Sequence, residues 1–110
     1  MKPLEILTYF IRQEGTPFLK IGKTGNIFNR FHTIQTGNPF LLEVIYVVEA
    51  DIETEMHNAL ACRRVRGEWF FFPDTLFQWA NDFIDKLGHE LITFRAYRDS
   101  LEIDDQFEFS

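Results

Sequence analysis

Apolar positions recur at two periods along the chain. EILTYFIR, residues 5–12, is rich in β-branched and aromatic side chains and predicts a strand. QEGTP turns the chain, and the short apolar FLKIG predicts the second strand of a hairpin. KTG turns it again. From Asn26, a good helix cap, NIFNRFHTIQTG places Ile27, Phe28, Phe31 and Ile34 on one stripe, and Gly37 and Pro39 end it. FLLEVIYVVEA is the strongest strand signal, and its continuous apolar run predicts a central position. DIETEMHNALAC predicts a helix opened by Asp51, with Ile52, Met56, Ala59 and Leu60 facing inward. RRVRGE reads as a basic turn, and WFFF as a short hydrophobic strand. Pro73 opens a further helix, DTLFQWANDFIDKL, with Leu76, Phe77, Trp79, Ala80, Phe83, Ile84 and Leu87 inward and Gly88 at its close. ELITFRAYRD predicts a last strand or an extended arm.

The order β-β-α-β-α-β-α, with that extra segment, predicts one α/β domain. Its architecture is a small mixed β-sheet of three main strands flanked by helices, with an extra C-terminal helix and an acidic tail. The expected bounds are 1–98 for the domain and 99–110 for the tail, whose Phe107 and Phe109 are placed to dock on a partner. A length of 110 residues suits a single domain, and 13 phenylalanines secure a core while leaving aromatic surface for a partner.

Composition narrows the setting. No apolar run is long enough to span a bilayer, and the N-terminus lacks the pattern of a signal peptide. The single cysteine, Cys62, excludes an intrachain disulfide and reads as a buried, inert thiol. These features predict an intracellular protein of the cytoplasm, or of the nucleus or host-cell cytoplasm for a viral one. The net charge of −6 argues against a broadly basic nucleic-acid binder, but its distribution matters more. Residues 1–72 hold 8 Lys/Arg and 8 Asp/Glu, whereas residues 73–110 hold 3 and 9, so the first two-thirds are free to present a local basic face.

Residues 19–31, LKIGKTGNIFNRF, resemble a phosphate-binding loop at first sight. The spacing argues otherwise: Gly15 precedes Gly22 by seven positions, where the nucleotide loop needs five, and the residues between them form a strand pattern. The polar residues instead come from separate elements. Tyr9 and Lys20 approach each other if the hairpin forms, Gly22 permits close contact, and Arg30 rides the following helix. Glu53 and His57 share a helix face four residues apart, and Glu68 stands before WFFF, where Arg63, Arg64 or Arg66 are its natural partners. Those three arginines, with Lys23, are candidate contacts to a nucleic-acid backbone.

LTYFI followed by LKIGKTGNIFNRF is similar to the paired motifs of the GIY-YIG endonuclease superfamily. The continuation resembles its phage-type T5orf172/MUG113 branch: KIGKT at 20–24, QTGNP at 35–39, Glu53 with Met56 and His57, and GEWF at 67–70. The resemblance covers roughly residues 5–72. Leu7-Thr8 replace the first motif's Gly-Ile, and Lys20 stands where the second motif has tyrosine, as is usual in this branch. The resemblance implies a metal-dependent endonuclease that hydrolyses DNA phosphodiesters with Mg2+ or Mn2+. It implies that Tyr9 activates water, Arg30 stabilises the phosphate and Glu53 holds the metal. Lys20 and His57 would assist, with Gly22, Thr24 and Glu68 shaping the site. Products would carry 5′-phosphate and 3′-hydroxyl. DNA is the expected partner, with a homodimer or protein partner through the aromatic surface or acidic tail left open. The alternative is a catalytically inactive nucleic-acid-binding or assembly module on the same scaffold.

Overall fold

The computed structural model describes residues 5–102. Residues 103–110, with Phe107 and Phe109, lie outside the described residues, as do residues 1–4. The chain runs β1 (Leu7–Gln13), β2 (Phe18–Thr24), α1 (Ile27–Thr36), β3 (Leu42–Val48), α2 (Glu53–Ala59), β4 (Arg64–Arg66), β5 (Trp69–Phe71), α3 (Phe77–Lys86), β6 (Ile92–Thr93) and α4 (Phe94–Glu102). Single 3-10 turns at Ala61–Arg63 and Asp74–Leu76 lead into β4 and α3.

The six strands form one sheet in the order β4-β5-β2-β1-β3-β6. Every neighbouring pair is antiparallel, so the sheet is antiparallel rather than mixed as expected. The reason is the position of β1. β2 and β3 point the same way, but β1 lies between them and opposes both. That arrangement needs a crossover, which α1 supplies. The three seven-residue strands β1, β2 and β3 are the main strands, and β4, β5 and β6 extend the sheet at its edges.

Three local expectations change. The basic turn RRVRGE is a short strand followed by a turn at Gly67, whose φ of 56° favours glycine. The predicted last strand shrinks to two residues, because the Thr93 hydroxyl accepts the Ala96 amide at 3.1 Å and starts α4. α4 therefore runs through the expected boundary at 98/99. Ala59 is exposed rather than inward, since α2 ends there and Leu60 turns into the core instead.

β1 is buried on both faces and divides the core in two. Its alternate side chains point to opposite sides of the sheet. Phe10, with Leu19, Ile21, Val48, Phe70 and Phe72, packs under Ile52, Met56 and Leu60 around α2 and Ala80 and Ile84 of α3. Leu7, Tyr9 and Ile11, with Val47, pack under Ile27 of α1 and Phe94 and Tyr97 of α4. Phe10 meets the Phe72 ring edge-on at 6.5 Å, and Phe72 meets Phe77 at 4.8 Å. Each fully buried side chain of this size contributes about 1.5–3 kcal/mol by leaving water.

One polar group sits inside this packing. Thr8 is fully buried, and its hydroxyl donates to the Ala50 carbonyl at 2.7 Å while accepting the Ile52 amide at 2.9 Å. It ties the central strand to the segment that starts α2 and so sets where Glu53 stands. Thr8→Val keeps the shape but leaves both backbone groups buried and unpaired, at an expected cost of roughly 2–4 kcal/mol. Thr8→Ser keeps the hydroxyl and should cost less than half as much. Urea denaturation midpoints of the two variants check this, and equal losses would show that the hydroxyl does not hold the junction.

Candidate active site

The site begins where β2 loses its outer neighbour. β5 pairs with β2 from Phe18 to Lys20, and the Ile21 amide then donates to the Glu68 carbonyl at 3.0 Å. Beyond that point, among the described residues, no strand lies outside Gly22–Thr24. On the inner side Gly22 is paired with Tyr9, so both face the same way. A Cβ at Gly22 would strike the Tyr9 hydroxyl, with the ring carbon that carries it at 2.7 Å and Glu68 Oε1 at 2.8 Å. The missing side chain lets a phenol and a carboxylate meet over the strand. Lys20 is paired with Ile11, so the residue opposite Tyr9 is the glycine and not the lysine.

Tyr9 is fully buried, and its hydroxyl makes no well-formed hydrogen bond among the described residues. Burial pushes its pKa above the ordinary 10.0, and the charges of Glu68 and then Glu53 push the same way. Arg30 opposes them through its charge and its contact with the phenol. The phenol therefore stays protonated at neutral pH. Arg30 reaches it because of how α1 starts. The buried Thr24 hydroxyl accepts the Asn26 amide at 3.0 Å and donates to the Asn26 carbonyl at 3.1 Å, and Asn26 then caps Asn29 at 3.1 Å.

Glu53, in the first turn of α2, comes within reach of the Glu68 carboxyl. A neighbouring carboxylate disfavours ionisation of Glu53. The pKa of Glu53 accordingly lies above its ordinary value near 4.5, by desolvation first and then by Glu68, with His57 and Lys23 pulling against the rise. Glu68 pairs with Lys20 Nζ at 3.3 Å, not with an arginine as the sequence suggested. Lys20 Nζ also stands 5.8 Å from the centre of the Trp69 ring. His57 donates from Nε2 to the Ile21 carbonyl at 2.7 Å, and its ring lies against Phe70 at 5.0 Å. That hydrogen bond braces β2 against α2. Lys23 is held by Asp51 at 3.1 Å, and that hydrogen bond raises its pKa.

Tyr9, Lys20, Gly22, Arg30, Glu53, His57 and Glu68 thus come from five elements to one edge of the sheet. The three arginines of the basic run do not join them. Arg63 closes a 3-10 turn, Arg64 lies over the Phe70 ring at 5.4 Å, and Arg66 is exposed on β4. Sequence reasoning missed the pairing of Glu68 with Glu53, the Asp51 partner of Lys23, and Trp69 as a platform for Lys20. A usable signal was the GEW triplet itself: an acid held between a turn glycine and a buried strand is steered by backbone.

Among the described residues, no group of three or more His, Cys, Asp or Glu is arranged to hold a metal ion. No helix among them is long and apolar enough to cross a membrane. Searches against curated proteins and against solved structures gave no match. A family model, the T5orf172 domain, matches residues 6–87, which takes in α3 as well as the motifs read above. The chain belongs to the T5orf172 domain family, which is linked to the GIY-YIG nuclease superfamily.

Proposed function

We propose that the protein is a divalent-metal-dependent endonuclease that hydrolyses DNA phosphodiester bonds at the Tyr9–Glu53 edge. The observation that carries this reading is a buried tyrosine hydroxyl without a well-formed hydrogen bond, set between an arginine and two neighbouring carboxyl groups. A fold has no structural use for such a group, since leaving it unpaired costs stability.

The acid pair fits Mg2+ or Mn2+. Both are hard ions that take one or two carboxylates and complete their shell with water and substrate phosphate, so a third protein ligand is not required. Such an ion would supply positive charge at the scissile phosphate and the leaving 3′-oxygen. Glu53 and Glu68 would hold it through their carboxylate oxygens. Lys20 would keep Glu68 oriented. Arg30 would grip the phosphate through its planar fork and favour the phenolate. Tyr9 would orient the attacking water and take its proton as the local charge becomes positive. His57 and Gly22 would hold the geometry. Lys23 would meet the strand by exchanging Asp51 for a phosphate.

Nicking of supercoiled plasmid DNA with Mg2+ or Mn2+ tests the assignment. Glu53→Gln should lower the rate at least 100-fold, while rates within twofold of wild type would reject Glu53 as the metal anchor. Tyr9→Phe should abolish activity yet raise stability by about 1 kcal/mol, because it deletes an unpaired buried polar atom. A fall in the urea midpoint of Tyr9→Phe would instead assign the hydroxyl to the fold.

The acid pair also predicts a pH dependence. A carboxyl whose folded pKa is raised contributes stability that is full below its unfolded value and is lost as pH rises through the folded value. The metal-free protein should therefore lose stability as pH rises from near 4.5 through the titration of Glu53. Glu53→Gln should flatten that slope. Mg2+ should raise the melting temperature of wild type more at pH 8 than at pH 5, and an equal rise at both would count against binding at the pair.

A further inference from the structure

Phe18, Lys20 and Gly22 alternate onto the face of β2 that carries the site. Gly22 lies at the site and Lys20 beside it. Phe18 is four residues, or about 13 Å, back along the strand, and there it enters an apolar groove of about 300 Å3. Phe18, Phe40, Val65 and Trp69 make its walls, and Asn38 and Arg66 stand at its rim. Phe40 and Val65 are each 57% exposed, an unusual cost for large apolar groups on a small domain.

The loop that presents Phe40 is not slack. The Gln35 side chain donates to the Phe40 carbonyl at 2.9 Å and accepts the Leu42 amide at 2.9 Å. Asn38 accepts the Phe40 amide at 2.8 Å. These bonds run through backbone, so the aromatic ring is held outward and spends little entropy on binding. Arg66 is the only charged residue that lines the groove among the described residues, on a chain of net charge −6. Lys20, over the Trp69 ring, joins the groove to the acid pair.

We propose that this groove holds an unpaired nucleobase of the strand whose phosphate lies at the Tyr9–Glu53 edge. The inference rests on the nuclease reading and gives its substrate class: DNA with a single-stranded or splayed segment beside the scissile bond. Flat aromatic walls with a guanidinium at the rim take any base by its face. A base inside a duplex is already stacked on both faces and does not enter. Arg66 at the rim and Lys20 between the groove and the acid pair match the charge of a phosphate strand.

The test is equilibrium binding, without divalent metal so that no cleavage occurs, of a blunt duplex and of a duplex of the same sequence with one splayed end. Fluorescence anisotropy gives the affinities. In a Trp79→Phe background, emission from Trp69 reports the groove, since the chain has two tryptophans. Wild type should favour the splayed DNA roughly tenfold, with quenching of Trp69. Phe40→Ala should lower affinity for splayed DNA roughly tenfold, the scale of one base stack, and leave blunt-duplex affinity within twofold. Unchanged preference in Phe40→Ala, or binding without quenching, would overturn the groove assignment and leave the nuclease reading standing. Failure of wild type to bind either DNA, with no nicking under Mg2+ or Mn2+, would overturn both.

Discussion

The register of β1 against β2 governs both the fold and the site. Tyr9 stands opposite Gly22 because the hairpin closes with Arg12 against Leu19 and Leu7 against Thr24. A slip of one residue would turn Phe10 and Ile21 to the wrong face and bring Ile21 or Lys23 opposite the phenol. Register is held firmly here because β1 is buried on both sides, so either face alone would refuse the slip. The glycine is the second half of the constraint. Phenol and carboxylate share the space that a single methyl group would fill.

From that constraint the electrostatics follow. The sheet ends its outer pairing just where Gly22 begins, so a carboxylate from the turn before β5 and one from the start of α2 converge on an uncovered edge. Two like charges side by side are unfavourable, and the pKa of Glu53 rises by desolvation and by the presence of Glu68. Burial, and then the charge of Glu68, lifts the tyrosine pKa. Arg30 reaches the phenol, while Lys20 and Lys23 are each engaged by one carboxylate. The acidic character of the whole chain says little about this edge, since the surplus of Asp and Glu belongs to the sequence after residue 72.

Much of this was legible in the chain. The hairpin, the Asn26 cap, the long strand β3 and the inward face of α3 all follow from period and capping, and the motif spacings point to the T5orf172 family; the central place expected of β3 falls instead to β1, and Phe28 of the α1 stripe faces outward. What escaped was settled by tertiary partners. Whether a sheet is mixed depends on which strand lies between β2 and β3, and no periodicity carries that. ITFRAYRD has strand-like residues, yet the Thr93 hydroxyl caps a helix and α4 finds an apolar bed against β3. Glu68 seemed bound to the arginines next to it in sequence. The turn at Gly67 faces it across β2 instead, where Lys20 waits. The hold of His57 on the Ile21 carbonyl is likewise a backbone partnership, which has no signature in the sequence.

Thr8 has a consequence for motion. Its hydroxyl joins the most deeply packed strand to the lead of α2, so Glu53 and the core belong to one cooperative unit. The Glu53 wall of the site is tied to the middle of the sheet. Arg30 stands on an exposed face of a helix anchored through its first turn, and Phe40 on a surface loop. Motion along this edge is therefore easier on the α1 side than on the acid side. A domain this small has divided its edge into a fixed jaw and an adjustable one.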